Sequence, residues 1–195
     1  MTARLTRAAV GLAAALTPVL GLTTATGPAH AADHAPDSSA AHAADPSAAT
    51  ATDRDPAVVE QLAAARAATA KYRYLPFAAA DGYDAHMCLA RDQGGMGFHY
   101  FNESRFGSLD PARPAGLLYE AGDDGRRRLV GVEWVVPVKD SENARPRLFG
   151  QDFQGPMPGH YPGMPTHYDL HVWLYKNNPD GLFSQWNPTV KCPSS

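Results

Sequence analysis

The sequence predicts an α+β fold: an N-terminal helix packed on a small antiparallel sheet of about four strands, with a long Pro- and Gly-rich loop. Three observations lead there. A helix-start signal opens the first region that can fold, and apolar residues follow it at helical spacing. Further along, the apolar period changes to two, the signature of half-buried strands. The last two strands are separated by a stretch too rich in Pro and Gly to extend either of them.

The helix opens at Asp55-Pro56, an N-cap acid followed by Pro at the first helical position. Val59, Leu62, Ala63, Ala67 and Ala70 form the expected buried stripe. Pro76 should kink or end the helix, with 77–80 adding one more turn before Asp81-Gly82 stops it. Strands are expected at 97–101 (GFHYF), 116–120 (GLLYE), 128–138 (RLVGVEWVVPV) and 168–175 (YDLHVWLY). The segment 121–125 (AGDDG) carries the Asp-Gly signal of a hairpin between the second and third of these. Residues 139–166 are expected to be loop, and a loop of that length in a compact domain is usually functional or mobile.

The chain is 195 residues long, with 17 basic and 20 acidic side chains. That balance excludes a general nucleic-acid binder, which shows a basic excess. Residues 1–31 read as a secretory signal: Arg4 and Arg7, an uncharged apolar run over 8–22, and the small-x-small site Ala29-His30-Ala31. The run is shorter than the ~20 residues that span a bilayer, so no stable membrane insertion is expected after cleavage. Residues 32–54 contain no large aliphatic or aromatic side chain, and read as a disordered Ala-, Ser- and Asp-rich linker. A single globular domain is then expected over 55–195, in a secreted, extracytoplasmic location. In such a compartment the two cysteines, Cys88 and Cys192, are expected to form a disulfide.

The fourth strand carries the chemistry. Alternation puts His167, Asp169, His171, Trp173 and Tyr175 on one face, and Tyr168, Leu170, Val172 and Leu174 on the other, which suits the core. The first face is a His-x-Asp-x-His row whose imidazoles are expected to converge on one ion. In the third strand Val130, Val132, Trp134, Val136 and Val138 make an apolar face and leave Glu133 on the opposite side. If the strands are neighbours, His99 and Glu133 join His167, Asp169 and His171 around a transition metal. Imidazole with carboxylate suits zinc or copper. Met157, His160 and Met164 in the loop add thioethers and a further imidazole, a combination compatible with copper.

Other signals are weaker. The run 94–97 (GGMG) lacks the Lys-Ser/Thr ending of a phosphate loop and precedes a strand, so a tight turn that delivers His99 is the expected use. Arg126, Arg127 and Arg128 read as a solvated hairpin tip. Asn177-Asn178-Pro179 and Asn187-Pro188 read as Asx turns.

Several segments together resemble a family of uncharacterised exported bacterial proteins. They are 71–73 (KYR), 94–100 (GGMGFHY), 148–151 (LFGQ), 170–175 (LHVWLY) and the closing 178–192 (NPDGLFSQWNPTVKC). The resemblance covers the domain from about Lys71 onward. It implies an exported globular domain, draws attention to His99, His171 and Trp186, and carries no reaction with it.

Three functional readings follow from these residues. The first is an exported domain binding a transition metal ion through His99, His167 and His171 with Asp169 or Glu133; metal-assisted hydrolysis or redox chemistry are the candidate reactions if it is an enzyme. The second is a non-catalytic module holding a small molecule or an envelope component in an aromatic pocket of Trp173, Tyr175, Phe183 and Trp186. The third is a metal-independent hydrolase using His171 with Asp169 or Glu133 as an acid–base pair.

Overall fold

A computed structural model describes residues 55–138 and 144–193. The sequence features assigned to 1–31 and 32–54 lie outside the described residues. The N-cap forms as the residues dictate: Asp55 Oδ1 accepts from the Ala57 N–H at 2.9 Å, with Pro56 in the first turn of α1 (Pro56–Thr69). The chain tightens into a 3-10 turn at Ala70–Arg73 and restarts as α2 (Leu75–Ala80), which carries Pro76 in its first turn, where its missing N–H is no loss. The buried side of α1 is Val58, Ala65 and Thr69. The expected stripe through Val59 is therefore rotated, and Val59 is half exposed. An Ala-rich helix has little apolar asymmetry of its own, so docking decides which valine faces inward.

The sheet has six strands, not four: β1 (Asp84–Arg91), β2 (Gly94–Phe101), β3 (Gly116–Ala121), β4 (Arg127–Pro137), β7 (Gln154–Met157) and β8 (His167–Val172), all antiparallel, in the order β1-β2-β3-β4-β8-β7. The two additional strands are the sheet's edges. β1 is largely exposed and shows no apolar alternation, and β7 is a four-residue strand with a Pro inside the supposed loop, a placement edges tolerate. A two-residue turn at Phe149-Gly150 joins β5 (Arg147–Leu148) to β6 (Gln151–Asp152). Both turn residues have positive φ, 55° and 70°, which matches the twist of a tight hairpin. Phe149 holds that conformation because its ring is fully buried against Trp134, 4.9 Å between centroids.

The two faces of the sheet have different tasks. One carries Leu117, Tyr119, Leu129, Val132, Trp134, Leu170 and Val172 and packs against Val58, Ala65, Tyr72 and Ala78 of the helical segment. Hydrogen bonds pin the layers, among them Tyr119 Oη to Tyr72 O at 2.7 Å. The opposite face carries Phe101, Leu118, Val135 and the titratable residues of the site, and is covered by residues 158–166 and the C-terminal segment. A bulge between Leu118 and Tyr119 turns Val130 towards this second face, beside Leu118, Trp173 and Val190. Val130 thus leaves the apolar row that its spacing predicts, whereas Val132 and Trp134 keep it.

The closing segment is stapled across β2. Gly95 and Asn187 exchange backbone hydrogen bonds, 3.0 Å each way, and a Cβ on Gly95 would stand 2.6 Å from Val190 O. Asx turns form where expected, with Asn178 Oδ1 accepting from Asp180 N and Asn187 Oδ1 from Thr189 N. The Cys88–Cys192 disulfide closes the arrangement over a separation of 104 residues. Reduction, or Cys88→Ser with Cys192→Ser, should lower the stability by up to about 4–5 kcal/mol in the chain-entropy account, because the open chain regains the freedom of a loop of roughly 100 residues. Chemical denaturation with and without reductant reads this directly; coincident curves would show that the staple contributes nothing.

Candidate metal centre

The site is built on β8, β4 and β2. Residues opposite one another in an antiparallel pair project to the same side. His171 lies opposite Glu133, and Glu133 lies opposite Gly116 on the next strand. His99 reaches the same point from β2, one strand further on. The gap at Gly116 lets it: a Cβ there would sit 2.8 Å from Glu133 Oε2. His167 and Asp169 follow along β8, and His160 comes down from the covering loop.

The distances between imidazoles and carboxylates are short but lie outside direct hydrogen bonds. His99 Nε2 is 3.7 Å from Glu133 Oε2, and His171 Nε2 is 3.9 Å from Glu133 Oε1. His171 Nδ1 is 4.0 Å from Asp169 Oδ1. Asp169 Oδ2 lies 3.5 Å from His160 Nε2 and 4.0 Å from His167 Nε2. The two last imidazoles approach each other at 3.1 Å, Nε2 to Nε2. His99, Glu133, His167, Asp169 and His171 are all fully buried.

Seven side-chain atoms here have no hydrogen-bond partner among the described residues: His99 Nε2, both oxygens of Glu133, both oxygens of Asp169 and both nitrogens of His171. Each orphaned buried polar atom costs about 1–3 kcal/mol, and folded proteins leave only a few across a whole domain. Seven facing one another form a cluster that could hold a metal ion, with one His171 nitrogen free to present its lone pair. The outward nitrogens support this. His99 Nδ1 lies 3.1 Å from Gly97 O, and His167 Nδ1 lies 2.9 Å from Pro165 O. A carbonyl only accepts, so both Nδ1 atoms carry the proton and both Nε2 atoms turn a lone pair inward, that of His99 partnerless and that of His167 accepting from His160 Nε2, the orienting arrangement that metal-bound histidines use.

The protonation states agree. Burial holds His99 well below its ordinary value, with His171 and His160 adding to the effect. Burial pushes His171 down to about 4, partly offset by Asp169. Burial also lowers His167. Burial and then the neighbouring Asp169 carboxylate hold Glu133 well above the usual carboxylate range. Neutral imidazoles are the form that ligates, and a metal would displace the proton on Glu133.

All five residues read from the sequence as donors meet here, but the two β8 histidines do not share one donor set. Their Cα atoms are four residues apart, about 13 Å at strand rise, so the expected convergence of this row on one ion is replaced by two adjoining groups. His99, Glu133 and His171 form one, and Glu133, His160, His167 and Asp169 form the other; ligand atoms within each lie within 4.8 Å of one another. His160 enters from the loop, in a position that its place beside Met157 and Met164 signalled without giving its partner. Neither thioether is a donor. Met164 Sδ accepts from the His160 backbone N–H, and Met157 Sδ from Gln185 Nε2. The donor set is therefore nitrogen and oxygen alone.

The aromatic residues scatter. β8 ends at Val172; Trp173 still lies on the histidine face as expected, but Tyr175 does not. Trp173 is buried beside Leu118 and Val130 and donates from Nε1 to Ser184 O at 2.7 Å. Tyr175 packs on the helical side, with its hydroxyl 2.8 Å from Thr69 Oγ1. Phe183 stacks towards Phe149 on that side, and Trp186 lies at a cleft under Arg91. The four therefore lie in different surroundings and do not gather around one point.

No family model, curated protein or solved structure matches the chain. The disulfide fits an oxidising, extracytoplasmic environment, and no described helix is long and apolar enough to cross a membrane.

The shifts fix the pH dependence of the metal-free protein. His99, His167 and His171 have depressed values when folded, so below about 6.5 the unfolded chain binds protons that the folded one refuses, and stability falls on acidification. For His171, between 6.5 and about 4, the loss is about 3 kcal/mol. Glu133 acts oppositely: its raised value adds stability below the ordinary 4.5 that is lost as pH rises through the folded value. Denaturant unfolding of metal-free protein should show stability falling as pH drops below about 6.5, less steeply than the three histidines alone would give because Glu133 opposes them, and a flat profile with histidine-to-glutamine variants unchanged would contradict these burial effects.

Proposed function

We propose that the protein is an exported transition-metal-binding protein, with His99, His160, His167 and His171 as imidazole ligands and Glu133 and Asp169 as carboxylate ligands. The carrying observation is the seven partnerless donor atoms buried together on one face of the sheet. A nitrogen and oxygen donor set with no thiolate suits zinc or copper(II). The export signal read at 1–31 and the Cys88–Cys192 disulfide support an extracytoplasmic location.

The acid–base reading draws less support. His171 lies 3.9–4.0 Å from both carboxylates, beyond hydrogen-bond reach, and is sealed from solvent. The aromatic-module reading loses its pocket to the scatter of Trp173, Tyr175, Phe183 and Trp186.

Protein purified without chelator or affinity tag should carry metal by elemental analysis. His171→Ala should lower that content. Metal-stripped protein should gain stability on adding zinc or copper, about 2.7 kcal/mol at a hundredfold excess over Kd, or several degrees in Tm. A stripped protein whose Tm stays fixed on addition of either ion overturns the reading.

A further inference from the structure

The geometry points to a two-metal centre: an enclosed ion held by His99, Glu133 and His171, and a second ion held by His160, His167 and Asp169, with the Glu133 carboxylate shared between them. This rests on the metal-binding reading above and specifies it.

Three observations carry the pairing. Donors bound to one ion at about 2.0–2.2 Å can stand at most about 4.0–4.4 Å apart. The six residues do not form one set of mutually close donors but two, and Glu133 is the one member of both. Each set brings at least three ligands, enough for a closed or nearly closed coordination sphere. Carboxylates bridge readily because they have two oxygens. Both oxygens of Glu133 are fully buried and partnerless; they lie 3.7 Å and 3.9 Å from the inner ligands His99 and His171, and Glu133 also offers an oxygen within 4.8 Å of the donor atoms of His160, His167 and Asp169. Paired ions in such centres sit about 3.5–4 Å apart, a separation that one bridging carboxylate spans.

The two positions are unequal. His99, Glu133 and His171 are sealed beneath the sheet's covering segments. His160 keeps 12% of its side chain exposed and is the one donor that lines a cleft of about 490 Å³, bordered by Arg91, Met96, Met157, Gln185 and Trp186. The outer ion therefore faces solvent and the inner one does not. Any exogenous ligand reaches the pair from the His160 side, and a chelator removes the outer ion first.

Metal-stripped protein is reconstituted with zinc and, separately, with copper(II), freed of excess ion, and assayed by elemental analysis. Wild type should hold two equivalents. His160→Ala should keep one, the inner, and His99→Ala should keep one, the outer; circular dichroism of each variant confirms that it folds. The copper(II) form should show the magnetic coupling of a close pair in electron paramagnetic resonance, replaced by an uncoupled signal in His160→Ala. Chelator should strip the zinc-loaded wild type in two phases, with the slow phase alone remaining in His160→Ala. One equivalent in wild type with an uncoupled copper spectrum overturns the pairing and leaves the single-metal reading standing. No bound metal in wild type overturns both.

Discussion

The constraint on which the structure turns is the burial of Glu133 in the middle of a six-stranded sheet. A carboxylate with no hydrogen-bond partner and no exposure is among the least favourable things a fold can contain. It remains tolerable by staying neutral or by meeting a cation. Its neighbours stand where ligands of a cation could stand. Gly116 gives up its side chain so that His99 can approach, the β4–β8 register sets His171 directly opposite, and burial keeps both imidazoles uncharged. Together they leave a group of inward-facing donors that could hold a metal ion.

The division of the sheet into a helix-covered face and a loop-covered face follows from that constraint. The helical side is an ordinary apolar core, with Trp134, Leu170 and Val172 under α1 and α2. The other side is mixed, with apolar residues such as Phe101, Val135 and Met164 walling off the polar centre. Its cover is made of irregular chain, which gains little from its own hydrogen bonding. The disulfide and the Gly95–Asn187 bridge hold the C-terminal part of that cover against β2. The staple at the chain's end thus maintains the dry surroundings that set the protonation states of the histidines.

Much of the centre is legible in the sequence because strand alternation is a strict rule. A period of two puts His167, Asp169 and His171 together, and it puts Glu133 opposite the Val132 and Trp134 face, whatever the rest of the fold does. What alternation does not carry is which strands are neighbours, and so the meeting of His99 with Glu133 is visible only in three dimensions. His160 sits on irregular chain, where no period applies. The edge strand β1 escapes notice because an exposed edge has no core face to pattern it, and β7 is hidden by its Pro and Gly. The rotation of α1 and the displacement of Val130 by a bulge are tertiary decisions between near-equal local alternatives. The cystine, by contrast, follows from there being two cysteines in a chain whose first residues read as an export signal.

X-ray absorption spectroscopy at the metal edge of the loaded protein tests the central claim most directly, because it reports the donors themselves. Buried imidazole and carboxylate ligation predicts a first shell of nitrogen and oxygen alone, near 2.0–2.1 Å for zinc, with the outer-shell scattering that rigid imidazole rings produce. A sulfur shell near 2.3 Å, or an oxygen-only shell without imidazole scattering, would contradict it and would place any bound ion somewhere other than the Glu133 centre.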